Sequence, residues 1–131
     1  MAFEGLATIG QIHLSVSDVD ASVAFYRDVL GLPLLFRVPK QPMAFFDCDG
    51  VRLYIGQPET EDYRTRGMVY FSVPDLGEAF ATLSERGVTF MDEPHVVHKN
   101  EHSEIRMAFF RALDDNNLAL MAEVALDHTS G

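Results

Sequence analysis

The sequence predicts an α+β protein made of two copies of one βαβββ unit, and two repeats carry that prediction. Met43-Ala44-Phe45-Phe46 returns as Met107-Ala108-Phe109-Phe110. His13-Leu14-Ser15-Val16-Ser17-Asp18 returns as Tyr70-Phe71-Ser72-Val73-Pro74-Asp75. A unit of this length is too small to close a core alone, so two copies are expected to share one. The expected architecture is a single domain over residues 1–131, with unit 1 about 7–56, a linker at 57–67 and unit 2 about 68–124. Two curved mixed sheets would surround a shared cup-like cavity, with the helices on the outer side.

The elements follow in order. Residues 9–16 alternate and are β-branched, giving a first strand with Gln11, His13 and Ser15 on one face. Asp18 or Asp20 supplies a helix N-cap, and Val23, Tyr26, Val29 and Leu30 recur at helical spacing to a stop at Gly31. Residues 34–38 read as strand 2, 43–47 as strand 3 and 51–56 as strand 4, with Asp49-Gly50 as the hairpin turn between the last two. Residues 57–67 are polar and lack an apolar period. Residues 68–73 repeat the first strand, and 76–86 repeat the helix, with Leu76, Phe80 and Leu83 inward and Gly87 as the stop. Val88 to Met91 reads as strand 6, 105–110 as strand 7 and 118–124 as strand 8, after a turn at 114–117. The tail from Leu126 reads as frayed.

An apolar fraction of 47% with ten Phe is enough for a packed core. Net charge is −10, and no stretch gathers Lys and Arg, which argues against a nucleic-acid partner. No apolar run approaches the roughly 20 residues a bilayer span needs, and the first residues do not resemble a signal peptide. One cysteine, Cys48, cannot form an internal disulfide. The expectation is a cytoplasmic protein with no membrane association. The acidity suits a cationic ligand, and equally ordinary solubility. There is no glycine-rich phosphate loop and no nucleophile elbow.

This element order, with Gly31-Leu32-Pro33-Leu34-Leu35-Phe36 after the first helix and Asp-Gly or Asn-Asn turns before each unit's last strand, resembles the vicinal oxygen chelate superfamily. That group contains glyoxalases, bleomycin-resistance proteins, fosfomycin-resistance transferases and extradiol dioxygenases. The resemblance covers residues 7 to 124, most specifically in 13–20, 24–32 and 118–124. It implies a homodimer with a small-molecule ligand, and in the enzymes a divalent metal ion held at four cavity-facing positions on the first and last strand of each unit. Those positions read His13, Tyr54, Tyr70 and, by alignment on the turns, Ala119. An enzyme of the group would place His, Gln or Glu at three or four of them, with Glu at the position of Ala119. The usual metal site is therefore read as broken or remade. His13 with Glu123 is the candidate replacement, although Glu123 lies about 13 Å along the strand from Ala119.

The remaining candidates are weighed residue by residue. His13 is either a ligand or metal contact or a histidine satisfied by a neighbouring hydroxyl. Tyr54 and Tyr70 present phenols that can hydrogen-bond or stack on a ligand, or fill space as packing. Arg52, on the face of Tyr54, is either a clamp for a carboxylate or phosphate or a solvated rim residue. His95, His98 and His102 fall within 94–104 beside Glu101 and Glu104, read as a long hairpin over the cavity mouth. There His95 or His102 would complete a site with His13, act as acid or base, or stay solvated.

Two function classes follow. One is a binding protein for a small, cationic or aromatic molecule, using Tyr54, Tyr70, Phe45 and Phe109. The other is a metal-dependent isomerase, lyase, epimerase or dioxygenase acting on a small oxygenated substrate. A metal-free enzyme with His13 and Tyr70 as acid and base is a third. The residue at Ala119 tips the balance to binding.

Overall fold

The computed structural model describes residues 3–126, which form two compact units, the first ending at Thr65 and the second starting at Arg66. Each unit holds one four-stranded mixed sheet and few helical turns.

In unit 1, strand β1 is Gln11–Ser15, β2 Leu34–Arg37, β3 Met43–Cys48 and β4 Val51–Gly56. The sheet order is β1-β4-β3-β2, with β1 parallel to β4 and the other pairs antiparallel. A parallel pair needs a long crossover, and helix α1, Val19–Val23, supplies it. The Asp18 carboxylate accepts the Ala21 N–H at 3.0 Å and starts the helix. The helix then widens into a π-helical stretch over Ala24–Val29, where Leu30 N–H reaches the Phe25 carbonyl at 3.0 Å. Asp49 and Gly50, with φ of 53° and 96°, make the tight turn between β3 and β4; positive φ at both positions matches the twist of the strands.

Alternation divides the sheet cleanly. Leu14, Ala44, Phe46, Leu53 and Ile55 are buried on the side where α1 packs against β3 and β4, and the fully buried Tyr26 lies 5.8 Å from the Phe46 ring. Gln11, His13, Ser15, Met43, Phe45, Asp47, Arg52, Tyr54 and Gly56 take the other face, as strand register requires.

Unit 2 repeats the plan with β5 Met68–Ser72, α2 Leu76–Glu85, β6 His95–Lys99, β7 Ser103–Arg111 and β8 Asn117–Ala125, in sheet order β5-β8-β7-β6. Asp75 caps α2 by accepting the Glu78 N–H at 3.0 Å. Leu118, Leu120, Ala108 and Phe110 are buried on the α2 side.

The sixth strand stands seven residues later than expected. Val88 to Met91 is not a ladder strand: the Val88 N–H still closes the end of α2 on the Leu83 carbonyl at 3.0 Å, and Phe90 makes a single bridge to Phe110. Phe90 serves packing instead, with its ring 4.4 Å from Phe80 and 5.1 Å from Phe110. The ladder strand is the polar, exposed His95–Lys99, in the segment read as a hairpin over the cavity mouth. Edge strands are commonly blunted by charge in this way. The tail beyond Leu126 lies outside the described residues.

Candidate functional site

Unit 1 carries a row of rings, one from each strand, across the sheet face opposite α1. His13 on β1 is the register partner of Tyr54 on β4, Tyr54 of Phe45 on β3, and Phe45 of Phe36 on β2. Successive ring centroids are 4.3, 4.9 and 4.7 Å apart, and the last two pairs are stacked, at 21° and 23°. Those spacings match the distance between strands, so the rings stand upright on the sheet, faces against one another and outer edges away from it.

Phe36 reaches this row through a bulge. Leu34 faces Phe46, yet Phe36 faces Phe45, so Leu35 is the extra residue. Without it, Leu35 would oppose Phe45 and Phe36 would turn to the helix side. Tyr54 is set by its neighbour Gly56: a Cβ there would lie 2.6 Å from the Tyr54 ring and 2.6 Å from the Pro42 carbonyl. Phe45 and Tyr54 are buried within the row, whereas Phe36 at the β2 edge is 44% exposed.

At the other end His13 is held by a closed set of hydrogen bonds. Its Nδ1 lies 3.3 Å from the Tyr54 carbonyl, which can only accept, so Nδ1 carries the proton. Nε2 then accepts from the Ser15 hydroxyl at 3.0 Å. The Ser15 oxygen accepts the Thr65 N–H at 2.8 Å, the Thr65 hydroxyl donates to the His13 carbonyl at 3.2 Å, and it accepts the Ser15 N–H at 3.1 Å. Partial burial lowers the His13 pKa below its ordinary 6.5, against smaller raising effects from the Tyr54 carbonyl and the Glu59 charge. Burial, then Glu59, pushes the Tyr54 phenol up, so it stays a neutral donor at neutral pH. Burial, then Asp47, likewise raises the Cys48 thiol and keeps it protonated.

The His13 shift has a sign that can be measured. The unfolded chain binds the proton more readily than the folded one, so this contribution is complete above pH 6.5 and is lost as pH falls below it. The urea midpoint should drop with pH through that window, and His13→Gln should flatten the slope. The effect should stay below the ~1.4 kcal/mol of a full unit, because the ring is partly solvated. An unchanged slope in the variant would remove His13 as the cause.

Arg52, on the ring-row face, holds its guanidinium carbon 5.7 Å from the Phe36 centroid and 5.6 Å from that of Phe45. Near-equal distances to two stacked rings place the charge over the seam between them. Its cross-strand neighbour Asp47 turns instead to the Gly50 N–H at 2.9 Å.

Unit 2 carries a sparser row. Tyr70 on β5 partners Ala119 on β8, which partners Phe109 on β7. Ala119 thus occupies in this sheet the register position that Tyr54 occupies in the first. Its small side chain leaves Tyr70 and Phe109 in edge contact at 6.2 Å, and His95 extends the row 6.1 Å beyond Phe109. The His95 Nδ1 donates to the Glu93 carbonyl at 2.9 Å, with the Asp92 carboxylate at 3.5 Å. A bulge at Val97 puts His98 on the face of His95, so these side chains do not diverge as a regular strand would make them. His102 is exposed in the β6–β7 turn, where its N–H donates to Asn100. Glu123 is exposed on β8, on the Ala119 face, opposite Ile105.

Of the candidates in the sequence, the first sheet brings together His13, Tyr54, Phe45 and Arg52, and the second brings together Tyr70, Phe109 and His95. Phe36, Ser15 and Thr65 were missed. Ser15 was visible two residues from His13 on its face; Thr65 gave no signal. Among the described residues no three His, Cys, Asp or Glu side chains gather as a metal ion would need. Around His13 the immediate partners are a carbonyl and a hydroxyl, a set that does not fit a divalent ion. An open polar depression of about 710 Å³ lined by Asp18, Asp20, Arg37, Lys40 and Gln57 is a weaker candidate. Three of its four charged side chains are engaged internally: Arg37 pairs with Asp20 at 2.7 Å, and Asp18 caps α1.

Two βαβββ units, each with a mixed sheet whose last strand runs parallel to its first, define the class of fold. Residues 8–120 match the model of the Glyoxalase/Bleomycin resistance protein/Dioxygenase superfamily, and the chain belongs to that family. It is 30% identical to the uncharacterized protein YraH of Bacillus subtilis (strain 168), over 81% of this chain and 91% of the relative. A superfamily member from Sphaerobacter thermophilus DSM 20745 superposes with a TM-score of 0.74 at 26% identity, covering 89% of this chain and 98% of that one. TnmS3, an antibiotic binding protein from Streptomyces sp. CB03234, gives a TM-score of 0.73 at 20% identity, with 92% and 98% covered. Lactoylglutathione lyase from Agrobacterium tumefaciens gives 0.69 at 20% identity, with 90% and 95% covered. At those last two identities the likeness is one of fold.

Proposed function

We propose that this chain is a binding protein for a small aromatic molecule, recognised on the ring row of the first sheet. The observation that carries the reading is the row itself: four rings in register, one per strand, ending in the half-exposed Phe36. Phe45 is already stacked on both sides, and Tyr54 lies between Phe45 and the tilted His13 ring. The exposed part of Phe36 is what a ligand would meet first, with the buried Phe45 and Tyr54 holding it from behind. His13, with both nitrogens engaged and its neutral form favoured, acts as an end wall of the row rather than as a base. An antibiotic-binding protein with this fold is consistent with the reading, which rests on the row and not on that likeness.

The test is binding of 2-naphthamide, a flat neutral aromatic, followed by ligand-observed NMR and titration calorimetry. Phe36→Ala, which removes a half-exposed ring and leaves the core intact, should weaken binding about tenfold, or ~1.4 kcal/mol. Tyr54→Leu should weaken it as well. Binding indifferent to both changes would overturn the proposal. So would stoichiometric divalent metal in the purified protein that disappears in His13→Ala, which would move His13 to the metal-enzyme class.

A further inference from the structure

We infer that the ligand of the ring row is an aromatic anion, its acidic group held by Arg52 while its ring extends the stack on Phe36. This deepens the binding reading above and rests on it. Three observations carry it, all within the first unit.

The first is the state of the arginines. Arg27 pairs with Asp28 at 2.8 Å, Arg37 with Asp20 at 2.7 Å and Arg64 with Glu61 at 2.7 Å. Among the described residues, no carboxylate pairs with Arg52. Of the four arginines of the first unit, Arg52 is the one without a carboxylate among the described residues. Its nearest candidate, Asp47 across the strand pair, is committed to the turn at Gly50. The guanidinium therefore lies beside a ring seam with donor groups uncommitted to any carboxylate, the condition in which arginine binds a planar anion through two parallel hydrogen bonds.

The second is the orientation of the rings. Aromatic edges carry the positive part of the ring quadrupole, and upright stacking turns the edges of Phe36 and Phe45 outward beside Arg52. Ring edges and guanidinium both offer positive charge to a ligand at this end of the face, beside an Asp47 carboxylate turned to the Gly50 N–H. On this inference an anion is preferred at the Arg52 end, whereas the overall acidity alone would suit a cation.

The third is the opposite end of the row. Glu59 is close enough to raise the pKa of both His13 and Tyr54. An anionic group is disfavoured there and favoured at the Arg52 end, so the row gives the ligand a direction.

The experiment compares three naphthalenes that differ only in the charged group: 2-naphthoate, 2-naphthamide and 2-naphthylmethylammonium, each titrated against the wild type and Arg52→Gln. Naphthoate should bind about tenfold more tightly than the amide, the ammonium more weakly than either, and Arg52→Gln should erase the preference for naphthoate by weakening naphthoate about tenfold more than it weakens the amide. High salt should shrink the difference between naphthoate and amide. Equal affinities, a preference for the ammonium, or a naphthoate preference that survives Arg52→Gln would overturn the inference while leaving aromatic binding standing. Failure of all three compounds to bind would bring down both readings together.

Discussion

Phe46→Ala should reduce the unfolding free energy by about 3–5 kcal/mol, while Phe45→Leu, one residue away, should cost about 1.5 kcal/mol or less. The two side chains are neighbours in sequence and opposite in environment. Phe46 is fully buried under α1, against Tyr26. Its removal leaves a cavity between a sheet and a helix that are tied together elsewhere and cannot collapse freely. Leucine at position 45 keeps most of the apolar volume and loses chiefly the ring contacts with Phe36 and Tyr54. Urea denaturation of both variants, with the naphthamide titration beside it, should separate the faces: Phe46→Ala unstable, Phe45→Leu folded but a poor binder. Equal stabilities would mean that the sheet does not divide its labour between packing and recognition. A loss of the expected size is a large part of the roughly 5–15 kcal/mol that holds a domain of ordinary stability.

Thr65→Val should cost about 1–3 kcal/mol, more than a surface threonine would. Valine keeps the shape and deletes the hydroxyl, leaving the buried N–H of Ser15 without its acceptor and the His13 carbonyl without a donor. Ser15→Ala removes the other half of the network, the hydroxyl between the Thr65 N–H and the His13 Nε2. Nitrogen-15 NMR of the imidazole should show the Nδ1–H tautomer in the wild type and in Thr65→Val, and a mixed tautomer in Ser15→Ala. A wild-type ring already protonated on Nε2 would break the proposed direction of the chain of hydrogen bonds.

Much of this architecture was legible because repeated residues have repeated jobs. The turn at Asp49-Gly50, the caps Asp18 and Asp75 and the stops at Gly31 and Gly87 are local chemistry, and strand 4 falls where alternation put it. Ala119, read by turn alignment as the last-strand position matching Tyr54, is the register partner of Tyr70. What escaped was non-local. Val88 to Met91 has the composition of a strand but spends its aromatic on Phe80 and Phe110. His95–Lys99, read as part of a long hairpin, is the strand that takes the ladder with β7. The bulges at Leu35 and Val97 leave no mark in composition, yet they decide which face Phe36 and His98 take. Thr65 meets His13 and Ser15 only because the chain returns after some fifty residues.

The parallel pairing of β1 with β4 also sets an order of assembly. The β3–β4 hairpin closes over a two-residue turn, a microsecond event that brings Phe45 and Tyr54 together at once. β1 must wait for a partner 41 residues downstream, since His13 pairs with Tyr54, and loop-closure entropy makes that contact late. Thr65, the final residue of the unit, then fastens the strand with which the unit begins. During synthesis β1 leaves the ribosome first and is secured last, so its unpaired edge is the stretch of this unit longest available to a chaperone or to a mispaired strand.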